Sequence, residues 1–263
     1  MKPAVDKWNN CFGNGSEALS HLEIIDSLDM LRAVKEGECR CEGVYWRGQE
    51  SFLWTPYPTL FRYLRTGGLS DGQINEGAIA SQEDLIFRKA AEANLIDAGS
   101  HPAEFMARLQ HYGGPTRLLD VTSDFDTSLF FAVGEGSNCP GVIYRYRINP
   151  ENVVSLQEKD LGWSDLLSFG GSGVPVLVKP AAFDRRIEIQ RGAFVMSTLD
   201  GTLAEPNLYT HQTWDSEIKQ YLITPAAKVE AREYLARRGL TKAKMLPSIE
   251  QFASRCRSEP MLF

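Results

Sequence analysis

Residues 108–133 read R-L-Q-H-Y-G-G-P-T-R-L-L-D-V-T-S-D-F-D-T-S-L-F-F-A-V, and no other stretch constrains the fold so tightly. Phe105, Leu109 and Tyr112 fall at spacings of four and three, so a helix with one apolar stripe leads into it. Gly113-Gly114-Pro115 ends that helix, because glycine takes the left-handed cap conformation freely and proline lacks the N–H to continue. Residues 116–121 then read as extended. Residues 127–133 read as a helix apolar nearly all round, which only burial tolerates, with Phe130 and Phe131 in the core. Arg117 and Asp120 flank Leu118-Leu119 and are expected to pair with each other or with backbone carbonyls, since a charge buried alone is costly. Thr122, Ser123 and Asp124 compete to cap the second helix. Tyr112 either completes its stripe or walls a planar ligand. His111 either acts in catalysis or satisfies the carbonyls and dipole of a helix end.

The flanking sequence alternates strands and helices. Residues 21–25 form a short strand, and Ser27 caps a helix carrying Leu28, Leu31 and Val34 that Gly37 stops. Residues 43–49, G-V-Y-W-R-G-Q, form a strand with Arg47 near its end. Pro56 and Pro58 lead to a short helix at 59–62, residues 66–75 loop, and Ser81 opens a helix to about Leu95. Residues 141–148 alternate imperfectly as a strand. A second loop covers 160–173, and strands follow at 174–178, 186–190, 193–197 and 218–223. A helix at 228–238 closes at Gly239, and Pro247 starts a last short one. Strand spacing puts Glu188 and Gln190 on one face.

The whole reads as one α+β domain with a helical C-terminal end. A chain of 263 residues buries a sizeable core. Its 28 Lys+Arg against 34 Asp+Glu leave a net charge of −6, so the global field does not attract nucleic acid or anionic membrane, although a local basic cleft is compatible with it. The chain has no apolar run of membrane-spanning length and no signal-peptide core at its start, which implies a cytoplasmic protein without a membrane partner. Five cysteines, at 11, 39, 41, 139 and 256, fit a reducing compartment. Cys39 and Cys41 lack zinc-pair spacing, and no metal is expected.

The order Y-W-R-G-Q at 45–49, Q-H-Y-G-G-P-T-R-L-L-D-V-T at 110–122, F-F-A at 130–132 and R-I-E-I-Q-R-G-A-F at 186–194 resembles the FRG domain family. The family's name comes from a Phe-Arg-Gly triplet, here Trp46-Arg47-Gly48. Gly114 and Val121 stand where the family more often has a bulkier apolar residue and a tryptophan. The resemblance implies a domain over 21–250 between a loose arm at 1–20 and a tail at 251–263. It also implies a place among bacterial and phage proteins, some of them suspected of toxin or phage-defence roles.

A weaker resemblance is to the ADP-ribosyltransferase fold. Arg47, Thr122 and Ser123 before Leu129-Phe130-Phe131-Ala132, and Glu188-Ile189-Gln190 occur in the order of that fold's phosphate arginine, hydroxyl strand with following helix, and carboxylate strand. It implies a split sheet with flanking helices and NAD as substrate, with no metal. Arg47 would hold phosphate, or else ties the strand end to Asp120 or Glu50, and Gly48 would let the ligand reach the backbone. Tyr112, Thr122 and Ser123 would contact nicotinamide or ribose, and Glu188 or Gln190 would face the reacting carbon of a transferase or glycohydrolase. Glutamine cannot act as a base. A non-catalytic module that recognises a protein or nucleic-acid target therefore stays open beside the enzyme.

Overall fold

A computed structural model describes residues 22–38, 41–96, 102–134, 139–156, 162–169, 173–181, 184–205 and 216–246. The arm at 1–20, residues 160–161 and 170–172 of the loop expected at 160–173, the helix expected from Pro247 and the tail at 251–263 lie outside these residues; 163–168 of that loop form a helix. In order come β1 (Leu22–Ile25), α1 (Leu28–Glu38), β2 (Val44–Gln49), α2 (Thr59–Thr66), α3 (Glu76–Glu92), α4 (Pro102–His111), β3 (Leu119–Thr122), α5 (Phe125–Ala132) and β4 (Gly141–Ile148). Then follow β5 (Val153–Ser155), α6 (Trp163–Ser168), β6 (Val176–Lys179), α7 (Arg185–Gln190), β7 (Gly192–Met196), β8 (Ser216–Ile223), α8 (Pro225–Arg237) and α9 (Lys242–Met245).

The strands make one mixed sheet of eight in the order β1-β8-β4-β2-β3-β7-β6-β5. Side chains of successive strand residues point to opposite faces. On β2, Tyr45 joins a core with Phe61 and Leu64 of α2 and Ile79 of α3, whereas Trp46 joins a second core with Phe125 and Leu129 of α5 and Leu235 of α8. A third core packs α4 and α6 on Val176, Val178 and Phe194 at the β7-β6-β5 end.

The sheet is continuous, not split, but it comes close to parting at its centre. β2 pairs with β4 over six residues and β3 pairs with β7 over four, whereas β2 and β3 meet at the single pair Trp46↔Thr122. Beyond that pair the two strands splay, and the Arg47 guanidinium crosses the gap to donate to the Asp120 carbonyl at 2.8 Å.

Local chemistry explains most element ends. Gly113 takes φ +81 and stops α4, and the Gly114 N–H returns to the Leu109 carbonyl at 2.8 Å. A Cβ on Gly114 would lie 2.3 Å from Leu109 Cδ1, so the leucine fills the space a larger residue there would need. Asp124 wins the competition to cap α5, accepting from Thr127 N at 3.0 Å. α3 begins five residues before Ser81, because Asn75 caps it by accepting from Ala78 N at 3.0 Å.

Several expectations are corrected. Residues 185–190 are a helix, α7, not a strand: the Asp184 carboxylate caps it from Arg186 N at 2.6 Å, and Arg191 leaves it in the left-handed conformation, φ 47. Arg117 does not pair with Asp120. It is fully buried and reaches Glu83 at 2.7 and 2.6 Å and Glu76 at 2.7 Å, while Trp163 Nε1 also donates to Glu83. Tyr112 is 80% exposed instead of completing its stripe. Phe130 and Phe131 are only partly buried. Arg145 on β4 is buried because Glu38 at the end of α1 covers it, 3.2 Å away, while Arg147 stays exposed.

Candidate functional site

The strand splay opens a cleft of about 250 Å³. Arg47 and Gly48 from the end of β2 form one wall, Asp120 and Thr122 of β3 the floor, Ser128 and Phe131 of α5 a second wall. His111 at the end of α4 and Arg186 and Gln190 of α7 close it. Four of the residues named from the sequence, Arg47, Gly48, Thr122 and Gln190, therefore converge. Glu188, Tyr112 and Ser123 do not line the cleft: each is exposed, and Ser123 uses its backbone N–H to reach the Arg191 carbonyl at 3.2 Å. On a helix, residues 186, 187 and 190 share a side and 188 faces away.

The converging residues differ in what they have left to offer. Thr122 Oγ1 donates to the Gln190 carbonyl at 2.6 Å and accepts from Asp124 N at 3.0 Å, so it ties α7 to β3. Gln190 Nε2 donates to the Met245 carbonyl at 2.7 Å and holds α9 in place. The absence of a side chain at Gly48 is explained by helix packing: a Cβ there would lie 1.8 Å from the Ser128 carbonyl oxygen. No L side chain fits between β2 and α5 at that point.

Arg47 and Arg186 are the opposite case. Each has a buried Nε without a hydrogen-bond partner among the described residues. Arg47 lies 3.9 Å from Asp120 Oδ2 and has Tyr144 as its cross-strand neighbour. Burial pushes the Tyr144 phenol up to about 12, with the Arg47 charge opposing, so this hydroxyl stays neutral beside the arginine.

Asp120 and Arg186 were not singled out for the site from sequence, and His111 was weighed for catalysis against a helix-end role; all three line the cleft. Asp120 Oδ2 accepts from Gln110 Nε2 at 2.8 Å, and Gln110 Oε1 accepts from Thr116 Oγ1 at 2.6 Å, a relay that fixes one carboxylate oxygen. The His111 Nε2 atom lies 3.3 Å from Asp184 Oδ2, so α7's capping residue also positions this imidazole. The signal that could have found Arg186 is Asp184 itself, a helix cap two residues ahead, which turns R-R-I-E-I-Q from a two-residue to a 3.6-residue period. Among the described residues no three His, Cys, Asp or Glu side chains are grouped to hold a metal ion. No described helix is long and apolar enough to cross a membrane.

Comparison with known proteins finds one family: the model of the FRG domain matches residues 42–139. No curated protein and no solved structure matches the chain. The matched span runs from just before β2, through the Arg47 strand end, α4, the Gly113 stop and β3, to just past α5. It contains three of the four motifs that carry the resemblance; the fourth, at 186–194, lies beyond it. Residues 42–139 of this protein are an FRG domain.

Proposed function

We propose that the central cleft is a nucleotide site that receives NAD through its phosphates, and that the functional domain extends past the matched span to about 21–250, because α7 and β7 complete the cleft. The observation that carries this reading is the pair of arginines, Arg47 and Arg186, lining one cleft, each with a buried Nε that has no acceptor among the described residues. A buried donor left unpaired costs about 1–3 kcal/mol. Phosphate oxygens would satisfy both, and planar guanidinium forks suit them.

Cleavage of the nicotinamide–ribose bond needs a carboxylate near the developing positive charge on the sugar. Asp120 lines the cleft and takes the role expected of Glu188. In the hydrolytic reaction the N-glycosidic bond breaks, nicotinamide leaves with the bonding electrons, and water oxygen bonds the ribose carbon and releases a proton. An effector role in bacterial toxin or phage-defence systems, in the cytoplasm, belongs to the same proposal, since a cell depends on its NAD. The test is nicotinamide release on incubation with NAD. The wild type releases it, and Arg47→Ala and Asp120→Asn abolish release; no binding and no release at millimolar NAD overturns the proposal.

A second reading is a non-catalytic module that recognises a protein or nucleic-acid target. It is favoured by the Thr122 hydroxyl and Gln190 amide being committed to protein partners. A stable complex with a target that survives Asp120→Asn, with no nicotinamide released by the wild type, would select it.

A further inference from the structure

We infer that a second compartment, reached around the same strand end, binds the nucleoside monophosphate half of a dinucleotide, with its aromatic base against Trp54 and its phosphate between Arg47 and Arg62. This rests on the nucleotide reading above but on different residues. The compartment is a hollow of about 620 Å³ that shares Arg47, Gly48 and Phe131 with the first cleft. By strand alternation, Gln49 follows Tyr45 and Arg47 on the α2 side of the sheet, so the two spaces meet at the end of β2. The first cleft, at about 250 Å³, is small for a whole dinucleotide. The two joined spaces suit a ligand of two halves bridged by phosphates at Arg47.

The charges favour an anion. Arg65 is tied to Asp71, Nε to Oδ1 at 2.6 Å, and lies 4.7 Å from the centre of the Tyr57 ring, so it is a neutralised wall. Arg62 donates to Thr59 Oγ1 at 3.3 Å and forms no ion pair with a carboxylate among the described residues. Burial, and then the repulsion of Arg47, hold the Arg62 guanidinium below its usual range, with Asp120 opposing. Glu50 also lines the hollow, but its carboxylate packs toward Gly134, where an added Cβ would lie 2.6 Å from Oε2. An anion between Arg47 and Arg62 relieves their repulsion.

Two further features suit a nucleoside. Gln49 is only 8% exposed, and its buried Oε1 has no partner among the described residues, which leaves a fixed amide atom for a base edge or a ribose hydroxyl. Trp54 is 56% exposed beside it, offering a ring face on which a base can stack.

The probe is AMP, measured by calorimetry beside NAD. Trp54 and Arg62 lie at the surface, so Trp54→Ala and Arg62→Ala are expected to melt with the wild type, which confirms that they fold. The expected result is AMP binding that weakens at least tenfold in each variant, with NAD binding weakened as well. If both variants bind AMP as the wild type does while Arg186→Ala loses it, AMP occupies the first cleft; this inference falls and the nucleotide reading survives. If AMP does not bind while NAD is still cleaved, the inference falls alone. Failure of both ligands overturns both proposals.

Discussion

Gly48 and Arg117 show how one position can be mistaken for a ligand contact or for a local ion pair. Gly48 sits in a strand-end motif beside an arginine, which from sequence suggests room for a phosphate, yet α5 fills that room with the Ser128 carbonyl. Gly48→Ala is therefore expected to cost about 3 kcal/mol or more through overpacking, seen as a lowered urea midpoint in the absence of any ligand. A variant of wild-type stability would return the glycine to a ligand role. Arg117 was legible as a buried charge that needs a partner, but the partner was not, because Glu83 and Glu76 lie 34 and 41 residues away in the chain. Its surroundings hold the guanidinium above its usual range: burial opposes the charge, and the two carboxylates outweigh burial. Arg117→Met leaves the buried Glu83 and the partly exposed Glu76 without their cation and is expected to lose about 3–5 kcal/mol in chemical unfolding. Glu83→Gln keeps an acceptor for Trp163 and should lose less.

Among the elements, those with a chemical stop were legible. The end of α4 at Gly113, the strand that delivers Arg47 and the helix after Asp124 each carry their own cap or breaker. α7 was not legible as a helix, because six residues of R-R-I-E-I-Q satisfy a period of two as readily as 3.6, and only the Asp184 cap decides. That difference moves Glu188 out of the cleft and Arg186 into it. α7 also anchors α9 through the Gln190 amide and the Met245 carbonyl. Gln190→Ala is expected to cost about 0.5–1.5 kcal/mol. It should also speed amide exchange at Met245 and Leu246 while leaving β7 protected; unchanged exchange in α9 would show that the contact does not hold the helix.

The molecule is held from both ends of its sheet toward a weak middle. At the β1-β8-β4 end, Glu38 closes α1 onto the sheet, accepting from Lys219 Nζ at 2.8 Å and Tyr221 OH at 3.0 Å beside Arg145. Burial opposes its ionisation, but these hydrogen bonds and the Arg145 charge win, and the carboxyl sits below its ordinary value of 4.5. A carboxyl depressed in the folded state binds its proton more readily unfolded, so its contribution is complete above pH 4.5 and is lost as pH falls through the lower folded value. Urea midpoints followed downward from neutral pH should fall in that window, and Glu38→Gln should flatten the fall; an unchanged acid limb would remove Glu38 from the cause. At the middle, the lone Trp46↔Thr122 pair makes the sheet's cohesion depend on what lies across it. A ligand gripping Arg47 on one side and Arg186 on the other would act as a removable cross-link between the halves. Occupancy would then be readable as heat resistance, adding about 2.7 kcal/mol at a hundredfold excess over the dissociation constant.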